Sequence, residues 1–257
     1  MKRYYYWFSL CLFAAVSSAS AQKPSSGWQA LYEAKYFEGM PYRLMPPLDF
    51  DAEARYPIII SLHGAGGRGS DNQRQLKVWN QQLTEQANRR NFPCYVLAPQ
   101  SNRHWELELF EKVRQIIATL PAVDSERIYI MGHSMGGHGT FLWTQHDPDY
   151  FAAAAACAGT GRTGRPEFVQ AERLKDLPLW VFHGDQDKVC SYALAAKLLQ
   201  DMRALGGNMK LTTWKGQGHG VAAKIIPGNK GNITELASDR SDPEPDFLTW
   251  LFKQRKR

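Results

Sequence analysis

The chain has 257 residues, of which 44% are hydrophobic and 12% aromatic. It is therefore long and apolar enough to bury the core of one globular domain, and its composition excludes an intrinsically disordered chain. The formal net charge is +6 at pH 7, but apart from four basic residues within 253–257 the positive charges are scattered. Nucleic-acid binding requires a clustered basic surface, so we expect no nucleic-acid partner.

The first 21 residues follow the order of a secretory signal peptide. Two basic residues precede an apolar stretch over 4–16, and an Ala-Ser-Ala sequence ends at Ala21. We expect cleavage after Ala21 and a secreted or periplasmic protein. A membrane anchor is the alternative, but the apolar stretch is shorter than the roughly 20 residues that span a bilayer. No later segment is apolar for longer, so we expect no stable membrane insertion after cleavage.

Three cysteines lie beyond the predicted signal peptide. Because three is odd, at least one thiol stays unpaired within the chain. Cys94 and Cys157 lie in apolar runs, where cysteine is usually a small buried hydrophobe, whereas the sequence leaves the state of Cys190 open. Neither C-x-x-C nor H-E-x-x-H spacing occurs, so we expect no metal site, and no motif indicates a cofactor.

Beyond the signal peptide, residues 22–28 are rich in Pro and Ser and predict a flexible lead-in to a catalytic domain over 29–257. Apolar runs typical of buried parallel strands then alternate with helical patterns. The predicted strands cover 57–62, 95–98, 128–131, 151–157, 179–182 and 211–214. The predicted helices cover 73–90, 106–120, 137–146, 192–205 and 246–253. This alternation indicates a doubly wound, mostly parallel α/β sheet with helices on both faces.

The stretch between the predicted strands at 151–157 and 179–182 is short. It contains three glycines and has room for one brief helix. A large cap domain does not fit there, so we expect an open site.

The pattern with the clearest chemical meaning is G-x-S-x-G at 132–136, directly between the predicted strand 128–131 and the helix 137–146. A serine on a sharp strand-to-helix turn needs neighbours with almost no side chain, because the turn is strained and the helix packs closely. The helix N-terminus behind it favours developing negative charge. We therefore predict that Ser134 is a nucleophile.

A serine hydroxyl is a weak nucleophile and needs a base, which a carboxylate must hold in the correct tautomer. After a G-x-S-x-G turn of this kind the acid and then the histidine follow along the chain. His219, in a glycine-rich loop after the last predicted strand, is the predicted base. Asp185 and Asp187 both lie in the loop after strand 179–182, and the H-G-x-x-D spacing favours Asp187. Asp185 is expected to bond within its own turn.

Acyl transfer also needs N–H donors for the oxyanion of the tetrahedral intermediate. The backbone N–H of Met135 is the first candidate. The second lies in the H-G-x-G-type turn after strand 57–62, where Ala65 is favoured and Gly66 is the alternative. A phosphate-binding loop is the competing interpretation of these glycines, but the Gly-Lys-Ser/Thr ending of a Walker A loop is missing.

The chain contains eight tryptophans, and Trp105 follows the loop after strand 95–98. Aromatic faces suit sugar or phenolic groups, although core packing is their commonest role. Trp105 is the predicted substrate-binding wall of the cleft.

Together these motifs resemble those of secreted bacterial α/β-hydrolases of the phospholipase/carboxylesterase and "predicted peptidase" group, which is related to feruloyl esterases and polyhydroxybutyrate depolymerase-like hydrolases. The resemblance rests on YPIIISLHGAGGRGSDNQRQL, VLAPQSNRHW, DSERIYIMGHSMGGHGTF, FHGDQDKV and GQGHG, and it covers nearly all of the mature chain. It implies an α/β-hydrolase fold, carboxylic-ester hydrolysis without a cofactor, and catalytic roles for Ser134, Asp187 and His219. Two departures stand out: Cys190 replaces a common proline, and 225–246 is longer than usual and could reshape the cleft.

Three functions follow from these observations. The first is a serine esterase acting on small-molecule esters, or on acyl or feruloyl groups of extracellular polysaccharide. The second is a serine peptidase of prolyl oligopeptidase type without the propeller domain. The third is a catalytically inactive binding protein, against which the complete triad argues. We expect the first.

Overall fold

The structure is a computed structural model that describes residues 27–161, 168–228 and 232–256. The predicted signal peptide and its cleavage site lie outside the described residues. The described chain begins with a 3₁₀ turn over Gly27–Leu31, and the ring of Trp28 packs edge-on against Tyr32 at 6.2 Å. The last two residues of the predicted lead-in thus belong to the folded domain.

Nine strands of the described chain form one sheet in the order β1-β2-β4-β3-β5-β6-β7-β8-β9. Their bounds are β1 Glu33–Phe37, β2 Met40–Met45, β3 Tyr56–Leu62, β4 Tyr95–Pro99, β5 Val123–His133, β6 Ala153–Cys157, β7 Leu179–Gly184, β8 Met209–Trp214 and β9 Asn232–Leu236. The strands from β4 across to β8 pair in parallel, whereas β1, β2 and β9 pair antiparallel at the two edges. The predicted, mostly parallel sheet is confirmed.

Helices cover both faces of this sheet, as predicted. Their bounds are α1 Val78–Leu83, α2 Gln86–Asn91, α3 Leu107–Thr119, α4 Met135–His146, α5 Ala171–Leu174, α6 Tyr192–Ala204 and α7 Phe247–Lys253. Helices α3, α4 and α6 contribute to one hydrophobic core, and α1 and α7 contribute to the core on the opposite face. The sheet therefore separates two cores, as in an α/β-hydrolase fold.

The central strands are mostly apolar because both of their faces are covered. All seven residues of β3 are buried. Ile58 and Ile60 project into the first core, while Ile59 between them projects into the second. Successive side chains of a strand point to opposite faces, so a strand between two helical layers requires a continuous apolar run.

One predicted helix was wrong. The single helix predicted over 73–90 is instead the two short helices α1 and α2, because Glu85 adopts an extended conformation between them and the Thr84 hydroxyl donates to the Gln81 carbonyl. Segment 225–246 contains β9, which pairs with β8 at the sheet edge. The described residues of that segment extend the sheet and do not line the cavities beside Ser134.

Lys210 on β8 is buried beneath α7 between two indoles. Its Nζ lies 3.4 Å from the centroid of Trp180 and 5.1 Å from that of Trp250, and it donates a 2.6 Å hydrogen bond to the Glu244 carbonyl. Burial lowers the pKa of Lys210 to about 7, although the charges of Asp242 and Glu244 oppose this shift. This side chain joins the sheet to the segment that leads into α7.

We predict that Lys210 makes stability depend on pH. The pKa is about 7 in the folded protein and about 10.4 in an unfolded chain. Between these values the unfolded state binds more protons, so stability rises with pH as the folded state loses its proton. The Tm of the wild type should therefore rise by several degrees relative to that of Lys210→Met between about pH 7 and pH 10. Thermal unfolding across that range checks this, and a constant Tm difference would contradict it.

Candidate active site

Ser134 lies on the turn between β5 and α4 with φ 56° and ψ −118°. For a residue other than glycine, such a backbone conformation costs about 1–3 kcal/mol of stability. The turn is tight because the backbones approach closely: a Cβ on Gly132 would overlap Gly136, and a Cβ on Gly136 would overlap the Leu62 carbonyl. The glycines of the motif therefore let α4 reach the sheet, and Ser134 stands at the carboxyl edge of the parallel strands.

Asp187 and His219 form a hydrogen-bonded pair in the loops after β7 and β8. The distance from His219 Nδ1 to Asp187 Oδ2 is 2.8 Å. The Asp187 side chain is fully buried, whereas that of His219 is 23% exposed. A neutral imidazole that donates through Nδ1 keeps Nε2 as an acceptor, so the ring can take a proton on its other side.

The environment of Asp187 favours its ionised form. Its Oδ1 accepts the N–H groups of Val189 and Cys190 at 2.8 and 3.0 Å. Burial by itself raises the pKa of this carboxyl, but the hydrogen bonds from His219, Cys190 and Val189 outweigh burial and hold the pKa below its ordinary value. Asp187 can therefore remain an anion beside the histidine.

Asp185, the alternative acid, makes different contacts. Its Oδ1 accepts the Gly216 N–H at 2.7 Å, and its Oδ2 lies 3.5 Å from Lys215 Nζ. It thus orders the turn that leads to His219 and is separate from the Asp187–His219 pair. Of the two candidates, Asp187 is the one that contacts His219, and its role as the acid stays a prediction.

Two cavities adjoin at Ser134. The larger cavity, about 620 Å³, is lined by Ser134, His219 and Ala65 among others. The smaller cavity, about 460 Å³, is lined by Ser134, Ala65 and Met135, together with Arg68 and His104. Ser134 and His219 therefore share a cavity at the same edge of the sheet.

Ala65 and Met135 each begin a helical turn that faces this edge. Ala65 opens a 3₁₀ turn over Ala65–Gly67, and Met135 is the first residue of α4. The N–H of the first residue of a helix has no acceptor within that helix. Gly66, the alternative donor, lines only the larger cavity, and its carbonyl accepts a hydrogen bond from Lys77 Nζ at 3.2 Å.

A buried histidine fixes the loop that carries Ala65. His63 donates through Nδ1 to the Gly64 carbonyl at 2.7 Å and accepts the Ser101 N–H through Nε2 at 3.1 Å. Burial lowers the pKa of His63 to about 4, so the ring is neutral near pH 7. The neutral ring joins the loops after β3 and β4.

The prediction for Trp105 was wrong. Its indole is 1% exposed, donates to the His63 carbonyl at 3.0 Å and packs edge-on against Trp143. It lines neither cavity, because it points into the core beneath the cleft. The preceding residue, His104, and Phe168 line the smaller cavity in its place.

Sequence reasoning did not assign site contacts to two further histidines. His133 donates through Nε2 to the His219 carbonyl at 2.8 Å, and the two rings lie 4.7 Å apart. His183 is buried, with its Nε2 3.2 Å from Asp187 Oδ2. Burial lowers the pKa of both rings, that of His133 to about 4. Their positions next to Ser134 and at the start of H-G-x-x-D are the signals that could have indicated these contacts.

The model of the dienelactone hydrolase family matches residues 53–241, which is most of the chain. The chain belongs to the dienelactone hydrolase family. Within this family member, no helix in the described ranges is long and apolar enough to cross a membrane. Cys94 and Cys157 are buried free thiols, and Cys190 is also buried.

Three comparisons place this family member among known proteins. Acyl-protein thioesterase 1 of Neurospora crassa is 31% identical over 86 residues, which are 32% of this chain and 33% of that protein. An uncharacterized secreted protein of Arthroderma benhamiae is 30% identical over 121 residues, which are 42% of this chain and 13% of that protein. The crystal structure of a thermostable esterase has a TM-score of 0.68 and 29% identity, covering 89% of this chain and 64% of that chain. The matched regions thus span a third or less of the curated relatives.

We predict that the strain at Ser134 can be measured with a pair of substitutions. Ser134→Gly should be more stable than Ser134→Ala by about 1 kcal/mol, because glycine adopts a positive φ without strain and alanine does not. In a domain of this size that difference is about 2–4 °C in Tm. Because both variants lack the hydroxyl, the difference between their Tm values reports the cost of the backbone conformation alone.

Gln200, on the exposed face of α6, offers the matched control. There Ala should exceed Gly in stability by about 0.5–1 kcal/mol, because the backbone is helical. An alanine variant at 134 as stable as the glycine variant would show that the turn is not strained.

Proposed function

We propose that this protein hydrolyses carboxylic esters through an acyl-enzyme intermediate on Ser134, with His219 as the base and Asp187 as its acid partner. The observation that carries the proposal is the partly buried Asp187–His219 hydrogen bond of 2.8 Å beside a cavity that His219 shares with Ser134. The strained turn at Ser134 and the family membership support it.

In the first half-reaction His219 Nε2 takes the Ser134 proton while Oγ attacks the carbonyl carbon of the ester. The N–H groups of Ala65 and Met135 are the proposed donors to the oxyanion. As the intermediate collapses, the C–O bond to the alcohol breaks and His219 returns the proton to the leaving oxygen. Water then attacks the acyl-enzyme by the same route, releasing the carboxylic acid and restoring Ser134. Asp187 remains ionised and stabilises the imidazolium throughout.

Within this class we propose acyl esters of extracellular material, including feruloyl esters, as substrates. The exported location proposed from residues 1–21 and the match to a secreted fungal protein support an extracellular substrate. The smaller cavity adds an aromatic flank, because the His138 ring stacks on Phe168 at 3.9 Å between centroids.

We expect wild-type protein to hydrolyse 4-nitrophenyl acetate and Ser134→Ala to lose that activity by about 10⁴-fold or more in kcat. Ser125→Ala, on the exposed rim of β5 away from the site, is the matched control and should be unaffected. A panel of acetyl, feruloyl, hydroxybutyrate and peptide substrates then defines the substrate class. Cleavage of peptides alone would indicate a peptidase, and no turnover of any substrate would contradict the enzymatic proposal.

A second pair of variants tests which carboxylate is the acid. Asp187→Asn should lower kcat by about 10⁴-fold, because the amide cannot hold the required tautomer or stabilise the imidazolium. Asp185→Asn keeps a hydrogen-bond acceptor for Gly216 and should change kcat by less than about tenfold. Steady-state kinetics on one ester compare the two, and the opposite order would assign the acid to Asp185.

A further inference from the structure

His133 directly precedes the proposed nucleophile and reaches the loop that carries the proposed base. It is the last residue of β5, and its Nε2–H donates to the His219 carbonyl at 2.8 Å. Because a carbonyl oxygen only accepts, Nε2 must carry the proton of the neutral ring. His133 and Ser134 are joined by a peptide bond, so this hydrogen bond fixes the backbone of His219 relative to the serine itself.

The loop that carries His219 needs such a contact because it is rich in glycine. Glycines occupy positions 216, 218 and 220. Glycine has the greatest conformational freedom, and ordering it costs the most entropy. In the first half of this loop, the Gln217 carbonyl accepts the Gln186 N–H at 2.9 Å. The hydrogen bond from His133 holds the loop at the residue that bears the imidazole.

The contact with Asp187 restricts the imidazole in a different way. It anchors Nδ1 at 2.8 Å, from the loop after β7. A single hydrogen bond at Nδ1 leaves the ring free to pivot about that point, whereas proton transfer from Ser134 requires Nε2 within hydrogen-bond reach of the hydroxyl. The bond from His133 adds a second anchor, at the carbonyl of His219, and this anchor comes from the strand that leads to the serine.

The ring of His133 is itself fixed on several sides. Trp79 on α1 packs edge-on against it at 6.5 Å, and the indole is anchored by a 2.7 Å hydrogen bond to Ser61 Oγ. On another side a Cβ on Gly64 would lie 3.6 Å from His133 Nδ1. The His219 ring lies 4.7 Å away. The donor of His133 therefore has a defined direction, towards the His219 backbone.

The charge state of His133 suits this position. Burial lowers its pKa to about 4, so the ring is neutral near pH 7. In the proposed reaction His219 becomes an imidazolium, and a second cation 4.7 Å away would oppose that charge. A neutral imidazole donates a hydrogen bond at this point without adding a charge.

We propose that His133 is a positioning residue, whose Nε2–H holds the backbone of His219 so that the imidazole meets the Ser134 hydroxyl. This goes beyond the proposed ester hydrolysis and rests on it. The donor of His133, and not its aromatic ring, is the part that acts. The second residue of the G-x-S-x-G motif thus links the nucleophile to the base.

Three substitutions separate the donor from the ring. His133→Phe keeps a ring without a donor, His133→Gln keeps a donor at about the reach of Nε2 without a ring, and His133→Asn has a donor that is too short. With 4-nitrophenyl acetate, the Phe and Asn variants should lose about 10- to 100-fold in kcat, because a misplaced base slows proton transfer. Their KM should stay within about threefold of wild type, because substrate binding does not use this bond. The Gln variant should keep kcat within about fivefold of wild type.

Amide hydrogen exchange, followed by mass spectrometry, measures the loop without any substrate. In His133→Phe, the peptide covering 215–220 should exchange about 3- to 10-fold faster than in wild type, as expected for the loss of one hydrogen bond. In His133→Gln it should exchange at nearly the wild-type rate. Peptides from 33–45, at the far edge of the sheet, should be unchanged in every variant.

His146, at the exposed end of α4, offers the matched control. His146→Phe makes the same chemical change away from the site. It should leave both kcat and the exchange of 215–220 unchanged. Circular dichroism of each variant confirms folding.

Two kinetic results would overturn the proposal. Wild-type kcat in His133→Phe would show that the donor is not needed. A His133→Gln variant as slow as His133→Phe would show that the ring or its packing matters instead. Unchanged exchange of 215–220 in His133→Phe would overturn the proposal as well.

The exchange comparison also separates this inference from the enzymatic one. If the wild type hydrolyses no ester, but 215–220 exchanges faster in His133→Phe and not in His133→Gln, the ester-hydrolase proposal fails and the hold of His133 on the loop stands. If esters are hydrolysed and the variants do not differ in exchange, the enzymatic proposal stands and the role of His133 fails.

Discussion

The first turn of α4 lies against the ends of three central strands at a separation that only glycine permits. A Cβ on Gly136 would overlap the Leu62 carbonyl of β3, and one on Gly137 would approach the Cys157 carbonyl of β6. This contact places the start of the helix directly behind Ser134 and forces its positive φ. The strain is offset by the rest of α4, where Phe141 and Trp143 are fully buried in the first core. Core packing thus holds the serine in a conformation that the local chain would not adopt alone.

The same edge of the sheet holds several imidazoles, and the surroundings of His219 differ from those of His63, His133 and His183. His63 and His183 are buried and His133 is partly buried; each is fixed by hydrogen bonds within the protein. Burial lowers the pKa of all three, so near pH 7 they are neutral groups with fixed donor and acceptor sides. His219 is more exposed than His63 and His183, and its ring lies closer to the Asp187 carboxylate than that of His183. The arrangement confines proton transfer in the proposed reaction to that ring.

The sequence predicts the parts of this molecule whose conformation depends mainly on residues that are adjacent along the chain. A strand covered on both faces is mostly apolar, so β3 and β6 were predicted. A tight turn requires glycine, so the bend at Ser134 was predicted. The proposed acid and histidine, Asp187 and His219, were chosen from chain order. The parallel sheet brings them together because the loops after β7 and β8 share one edge. The edge strands β1 and β9 were missed because most of their residues are exposed and carry no apolar pattern.

The direction in which loop side chains point could not be predicted from the sequence. His104 and Trp105 are neighbours, yet one lines the cleft and the other is buried in the core. Nothing local distinguishes them; the indole is placed by Gly139 on α4, where any Cβ would overlap the ring. The helix that follows Ser134 thus also decides which residue of a distant loop lines the cavity. The wall of the smaller cavity therefore follows from tertiary packing: Trp105 packs against α4 in the core, and His104 is left to line the cavity.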